Sequence, residues 1–331
     1  MPKDSDNSES SSLYLSDISP RDKSWDDHKS SSRIVAANYS KVDLDRYSKR
    51  IWECSHSLEF ALKRDAEGRI RLKLSSTRFC RVRWCPVCLW RRSLMWRARF
   101  IKALPEIIKD YPRSRFILLT LTVRNCPIGE LRETLSAMNA AWIRLTKRKV
   151  FPATGWVKSI EVTRGRDGSA HPHLHCLLMV NPSYFTHGYL SQEKWKQLWK
   201  DCLRLDYDPV VDIRKVKPKK QSVDSTVYSN VNATAKDSEV NSIILGILEV
   251  VKYCVKPDDL VKDPEWLLEL TKQMHKTRSI GLGGIFKKYL SEYEPEDLIN
   301  ADIEDEVELK DEDMMLIFDW GEIVRRYTQR K

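Results

Sequence analysis

The chain has 331 residues, room for one large domain or two ordinary ones, and its 41% hydrophobic and 31% charged residues are those of a globular protein. No apolar run reaches the roughly 18 residues of a membrane helix. The opening MPKDSDNSESSS lacks a signal peptide's apolar centre, and eight unevenly spaced cysteines do not make a secreted disulfide scaffold, so a cytoplasmic protein is expected. Net charge is +10, but twelve carboxylates and one lysine between Ser291 and Asp313 contribute −11, leaving about +21 on the remainder. So one-sided a surplus points to a polyanionic partner such as nucleic acid.

Residues 1–45 hold eleven serines in the first 32 positions and little that could form a core, so they read as a disordered tail. A basic, tryptophan-rich block follows over residues 46–104. FILLTLTV (Phe116 to Val123) reads as a strand, and Glu130 to Val150, with Leu131, Leu135, Met138, Trp142 and Leu145 at helical spacing, as a helix. WVKSIEVT (Trp156 to Thr163) is a second strand, joined through Asp167-Gly168 to a partner strand in HLHCLLMV. A helix capped by Ser191 and the strand PVVDIRKV complete a β-α-β-β-α-β order, the ferredoxin-like split βαβ. Lys217 to Asn241 reads as a flexible loop, Ser242 to Lys256 as a helix stopped by Pro257, and the rest as helical around GLGG until an acidic segment over 291–331.

Alternate side chains of a strand share a face. His173 and His175 therefore point together, with Leu174 and Cys176 behind them, and Glu161 approaches across the hairpin. Two imidazoles and a carboxylate with open positions suit a catalytic divalent ion, Mn²⁺ or Zn²⁺ in preference to Mg²⁺. His171, ahead of Pro172, reads as flanking. Cys80, Cys85 and Cys88 have the C-x₄-C-P-x-C spacing of structural zinc, with Cys54 as first and His56 as second candidate for the fourth ligand. A redox pair and plain buried cysteines are the alternatives, and the redox pair lacks a thioredoxin-like context. Seven arginines and no carboxylate between Arg78 and Arg99, with Trp84, Trp90 and Trp96, suit phosphates and unpaired bases; Arg83, Arg91, Arg92, Arg97 and Arg99 are the candidate DNA contacts. Glu249, Tyr253 and Lys256 stand at i, i+4 and i+7, one face of the expected helix.

Taken together, the CPVC-LWRRS block, the LTLTV strand, IEVT with HPHLH, the Trp195/Trp199 helix, the KYCVK segment and GLGGIFKKYL resemble the HUH endonucleases. The closer resemblance is to their single-tyrosine branch, the plasmid rolling-circle replication initiators. It runs from about Trp52 to Lys288 and implies an α+β protein: a ferredoxin-like, RRM-like HUH nicking domain over 105–290, with a tyrosine helix and an N-terminal zinc-binding module. By that resemblance His173 and His175, with Glu161, hold Mn²⁺ or Mg²⁺, and Tyr253 is the nucleophile that cuts one strand of the origin and keeps the 5′ phosphate. Glu249 matches the carboxylate that activates water at termination, and Lys256 is the candidate for orienting the phosphate. The resemblance also implies a single-stranded or hairpin plasmid origin, a host helicase and DNA polymerase as partners, and the bacterial cytoplasm. An HUH transposase is the enzymatic alternative, and a zinc-dependent DNA-binding regulator the non-enzymatic one.

Overall fold

The computed structural model describes residues 13–64, 70–216, 237–251, 254–290, 297–301 and 313–330, and structural statements refer to these. Where a disordered tail was expected, Leu13 onward is folded. Helix α1 (Leu15–Ile18) is a single turn, α2 (Lys23–Lys41) a long helix and α3 (Asp45–Glu53) a short one. The buried stripe of α2 includes Trp25, Lys29, Ser32, Ala36 and Tyr39, alternating steps of four and three residues. Two of these are polar because they face backbone atoms: Lys29 Nζ donates to the Trp52 carbonyl at 3.2 Å, and Ser32 Oγ accepts the Val87 N–H at 3.4 Å. Serine content hid this helix. Its buried members carry polar side chains for a packing reason, and Trp25 ties them down, its ring meeting Phe60, Phe79, Trp90 and Tyr327.

Strands β1 (Ser57–Arg64) and β2 (Ile70–Thr77) form an antiparallel hairpin. Helix α4 (Pro86–Asp110) then begins with Cys85 as N-cap and Pro86 at the first helical position, where a missing N–H is harmless. At 25 residues it is about 38 Å long. It runs straight through the 104/105 boundary expected between the zinc-binding and nicking regions.

The alternation read from sequence then appears in order: β3 (Arg115–Thr122), α5 (Leu131–Thr146), β4 (Ala153–Arg164), β5 (Ala170–Val180), α6 (Gln192–Leu203) and β6 (Val211–Lys215). Gly168, at φ 82°, turns the β4–β5 hairpin, and the Ser191 hydroxyl caps α6 by accepting the Lys194 N–H. Helix α7 (Asp237–Val250) begins inside the stretch expected to be a loop, whose residues 217–236 lie outside the described residues. It ends before Pro257, which opens helix α8 (Pro257–Lys262) instead of stopping α7, because proline fits the first helical position. Helix α9 (Pro264–Gln273) follows, then β7 (Ile280–Gly284) and α10 (Phe286–Leu290). The GLGG segment is thus an edge strand paired to β4, not a break between helices. A Cβ on Gly283 would lie 2.0 Å from the Trp156 ring, and Gly284 has φ 57°; tertiary fit, not strand propensity, selects these glycines.

The sheet order is β6-β3-β5-β4-β7, with every neighbouring pair antiparallel. Helices α5 and α6 each connect strands that have a third strand between them. Leu119, Leu121, Ile160, Leu174, Cys176 and Leu178 pack into one cluster with α5 and α6. Phe116, Val157, Leu177 and Met179 pack into another with α7, α10 and the end of α4.

Most of the acidic run expected over 291–331 lies outside the described residues, but the end of that segment is structured. Strands β8 (Met315–Gly321) and β9 (Arg326–Gln329) extend the first sheet to β2-β1-β8-β9 and bury Phe318, Trp320 and Tyr327. The Tyr327 N–H donates to Asp26 on α2, fastening the two ends of the chain together. No helix among the described residues is long and apolar enough to cross a membrane. Trp25→Ala should destabilise the protein by about 3–5 kcal/mol, the usual cost of emptying a buried aromatic site. Urea unfolding checks this, and an unchanged midpoint would mean the N-terminal helices are not part of the fold.

Candidate active site and metal centres

Strand β5 changes character along one face. Leu177 and Met179 lie in the cluster that contains α7, whereas His171, His173 and His175 precede that cover. Glu161 on β4 stands opposite His173 in the ladder, and Thr120 on β3 opposite His175. Glu161 Oε2 lies 2.7 Å from His175 Nε2 and 3.1 Å from His173 Nε2. Thr120 Oγ1 is 3.3 Å from Nδ1 of His175, which fixes that ring with Nε2 toward the carboxylate.

Burial opposes ionisation of Glu161, but hydrogen bonds with His173 and His175 override it and hold the carboxyl well below the usual carboxylate range. The three ligand atoms lie within 4.8 Å of one another, and the side chains keep 14–16% of their surface exposed. Two imidazole nitrogens and one carboxylate oxygen, open on one side, fit a divalent ion with positions left for water or a phosphate oxygen. His171 stays outside this group, its ring edge against His173 and its pKa lowered by burial and by His173.

Glu249, His175, Thr120, Asp212 and Arg97 line a cavity of about 700 Å³. Tyr253, with Lys252, lies outside the described residues. The next residue, Cys254, accepts the N–H of Val162 at 2.9 Å, so its backbone is fastened to β4 beside Glu161. Lys256 does not continue the helix: it is the exposed, extended N-cap of α8. The expected shared face of Glu249 and Lys256 is therefore absent, since α7 ends at Val250.

Cys54, Cys80, Cys85 and Cys88 converge, all buried, with sulfur atoms within 4.8 Å of one another. Sγ of Cys88 is 3.6 Å from that of Cys54 and 3.7 Å from that of Cys80. Tetrahedral zinc with bonds of about 2.3 Å sets sulfurs about 3.8 Å apart, so the donor set fits. Hydrogen bonds from Cys80, Cys85 and Cys88 pull Cys54 well below its ordinary value against burial, whereas burial and the Cys54 charge push Cys85 up. A divalent cation held there would favour the thiolate form of all four. Cys54 is the fourth member of the cluster and His56 is not in it. Lys29, fully buried beside the cluster on α2, was invisible in the sequence because nothing marks that helix as its neighbour.

The arginine run divides by helical phase. Arg91 is only 1% exposed, with its guanidinium on the carbonyls of Leu298 and Ile299 and against Trp25, so it serves the core and not a DNA surface. Arg92 and Arg99, seven residues apart on α4, line a cleft with Arg83, and Arg97 lines the cavity of Glu249 and His175.

A family model described as Replication protein matches residues 71–328. Protein rep of Streptococcus pneumoniae serotype 2 is 32% identical over 292 residues, covering 86% of this chain and 83% of its own length. Protein rep of Lentilactobacillus hilgardii is 32% identical over 326 residues, 94% of this chain and 96% of its own. A Replication protein of Staphylococcus aureus is 32% identical over 235 residues, 66% and 93% respectively. No solved structure gives a significant match.

Cys54→Ser should strip stoichiometric zinc from the purified protein and lower its melting temperature, while His56→Ala retains the metal; metal analysis by mass spectrometry separates the two. His175→Ala should weaken Mn²⁺ binding at least about tenfold, since even loss of a ligand's supporting partner costs that much. Calorimetric titration measures it, and unchanged affinity would remove the β4–β5 group as the metal site.

Proposed function

The chain belongs to the replication protein family, and from that premise we propose that it initiates plasmid rolling-circle replication by nicking and rejoining one DNA strand at the origin. The observation that carries the reading is the grouping of Glu161, His173 and His175 on one open sheet face, with Glu249 of α7 lining a cavity that reaches His175. The strand order β6-β3-β5-β4 and its two crossing helices support a ferredoxin-like HUH domain. The relatives' printed names favour an initiator over a transposase.

A Mn²⁺ or Mg²⁺ ion held by His173, His175 and Glu161 would polarise the non-bridging oxygens of the scissile phosphate. The chain's own groups do the rest. The Tyr253 phenol oxygen forms its bond to phosphorus in line with the 3′ oxygen, loses its proton to solvent, and the P–O3′ bond breaks. The 3′ oxygen takes a proton from solvent and leaves as a hydroxyl for a host polymerase to extend, with a host helicase opening the duplex. The 5′ end stays esterified to tyrosine, which conserves the phosphodiester energy and lets the strand be rejoined without ATP. At termination Glu249 accepts a proton from water; the cavity it lines together with His175 supports that role. Lys256, exposed three residues after Tyr253, is a phosphate-orienting candidate by chain proximity alone. The Cys54, Cys80, Cys85 and Cys88 group would hold a structural zinc ion.

With Mn²⁺ or Mg²⁺ and a single-stranded origin oligonucleotide, the protein should form a covalent adduct that survives denaturing electrophoresis and maps to Tyr253. Tyr253→Phe should abolish it, and an adduct that persists would contradict the assignment. Glu249→Ala should spare the first nick and slow the hydrolytic step by about 10²–10⁴-fold. Equal loss of both steps would make Glu249 structural only.

A further inference from the structure

Strand β7 pairs with β4 only as far as Ser159, opposite Ile280. Beyond that point no strand among the described residues covers the outer side of β4, where alternate residues turn their N–H groups away from β5. Each of these groups is taken by a later part of the chain. The Ser279 carbonyl accepts from Ile160 at 2.8 Å, the Cys254 carbonyl from Val162 at 2.9 Å, and Asp259 Oδ2 from Arg164 at 3.2 Å. The first two acceptors are backbone; the third is a side chain of α8 that does the work of a neighbouring strand.

Asp259 is only 5% exposed, and a carboxylate leaves water at a cost that an apolar residue in its place would not carry. Both of its oxygens are used, Oδ2 by the Arg164 N–H and Oδ1 by Lys262 Nζ at 2.9 Å. The Arg164 guanidinium adds a second tie, donating at 2.7 Å to Asp263, which caps α9 by accepting the N–H groups of Glu265 and Trp266. From the opposite side the buried Asn38 of α2 donates to the Val261 carbonyl at 3.1 Å, at the end of α8 where helix carbonyls lack internal partners. Helix α8 is thus held between the edge of β4 and the N-terminal helix.

Only Val255 and Lys256 separate Cys254 from α8, and Val255 is fully buried, so the chain from Cys254 to Asp259 has little slack. Cys254 is joined to Tyr253 by one peptide bond, and Val162, which holds the Cys254 carbonyl, directly follows Glu161 of the metal group. We propose that Asp259 is a positioning residue for strand cleavage. Its hold on the Arg164 N–H keeps the Cys254 carbonyl on Val162, and so sets one end of the chain that carries Tyr253 relative to Glu161, His173 and His175. The inference rests on the nicking function above, through the role given to Tyr253. A displacement of about 1 Å at a reacting group costs about 10²-fold in rate, so a hydrogen bond away from the chemistry is enough to matter.

The test uses full-length, zinc-loaded protein with Mn²⁺ and a single-stranded origin oligonucleotide. Asp259→Ala should slow adduct formation at saturating oligonucleotide by about 10–10²-fold. The half-saturating oligonucleotide concentration and the Mn²⁺ affinity should change less than about twofold, since neither binding step uses the hold. Asp259→Asn keeps an oxygen for the Arg164 N–H and should stay within about threefold of the wild-type rate. Asp259→Ser is too short to reach that N–H and should match the alanine variant, which keeps the test usable if alanine does not fold. Hydrogen exchange reads the hold without DNA: the Val162 and Arg164 amides should exchange at least about tenfold faster in Asp259→Ala, and that of Leu177 on β5 unchanged. Unchanged exchange at Val162, an asparagine variant as slow as alanine, or an equal loss of Mn²⁺ affinity would overturn the proposal. Faster exchange at Val162 in a protein whose wild type forms no Tyr253 adduct would leave the hold standing and remove the nicking reading, so the two failures are distinguishable.

Discussion

A β-strand sends successive side chains to opposite faces, and β5 sits at the middle of a five-stranded sheet where that rule does the most. Leu174, Cys176 and Leu178 enter one core while His173 and His175 emerge on the other side. Farther along, Leu177 and Met179 take over the second face and anchor α7. One strand therefore presents His173 and His175 on its open face and also packs against the helix whose Glu249 lines a cavity with His175. A slip of one residue in register would send both histidines into the core and Leu174 into the site.

The second organising group is the buried set of four cysteines, and it reaches farther than a local clamp. Cys54 ends α3, Cys80 follows β2, and Cys85 and Cys88 start α4, so one ion would tie three segments together. Helix α2 closes over them with Lys29 and Ser32, while β8 and β9 bring the other end of the chain onto β1. From there α4 carries the arrangement into the cluster beneath α7. Disruption of the cysteine cluster would therefore reach the packing on which α7 rests as well as the cysteine loop itself.

The parts legible in the sequence are those in which periodicity and chemistry agree. The run from β3 to β6 alternates cleanly, its hairpin is marked by Asp167-Gly168, and the histidines fall two apart on it. Other parts were hidden for identifiable reasons. The buried stripe of α2 includes Lys29 and Ser32, so counting apolar residues cannot find it. Two of the glycines in strand β7 answer to tertiary fit, Gly283 to the Trp156 ring and Gly284 to the Thr154 backbone and its positive φ. Pro257 has the same local signature whether it ends one helix or begins the next, and here it begins one. Arg91 looks like its neighbours until the helix turns it inward against Trp25.

The central claim is that Glu161, His173 and His175 form the metal centre of a nicking enzyme. Pulsed electron paramagnetic resonance of the Mn²⁺-loaded protein tests it most directly, because it detects nitrogen bonded to the ion. The account predicts couplings from two imidazole nitrogens, falling to one in His173→Ala. Bound Mn²⁺ with no imidazole coupling would contradict it.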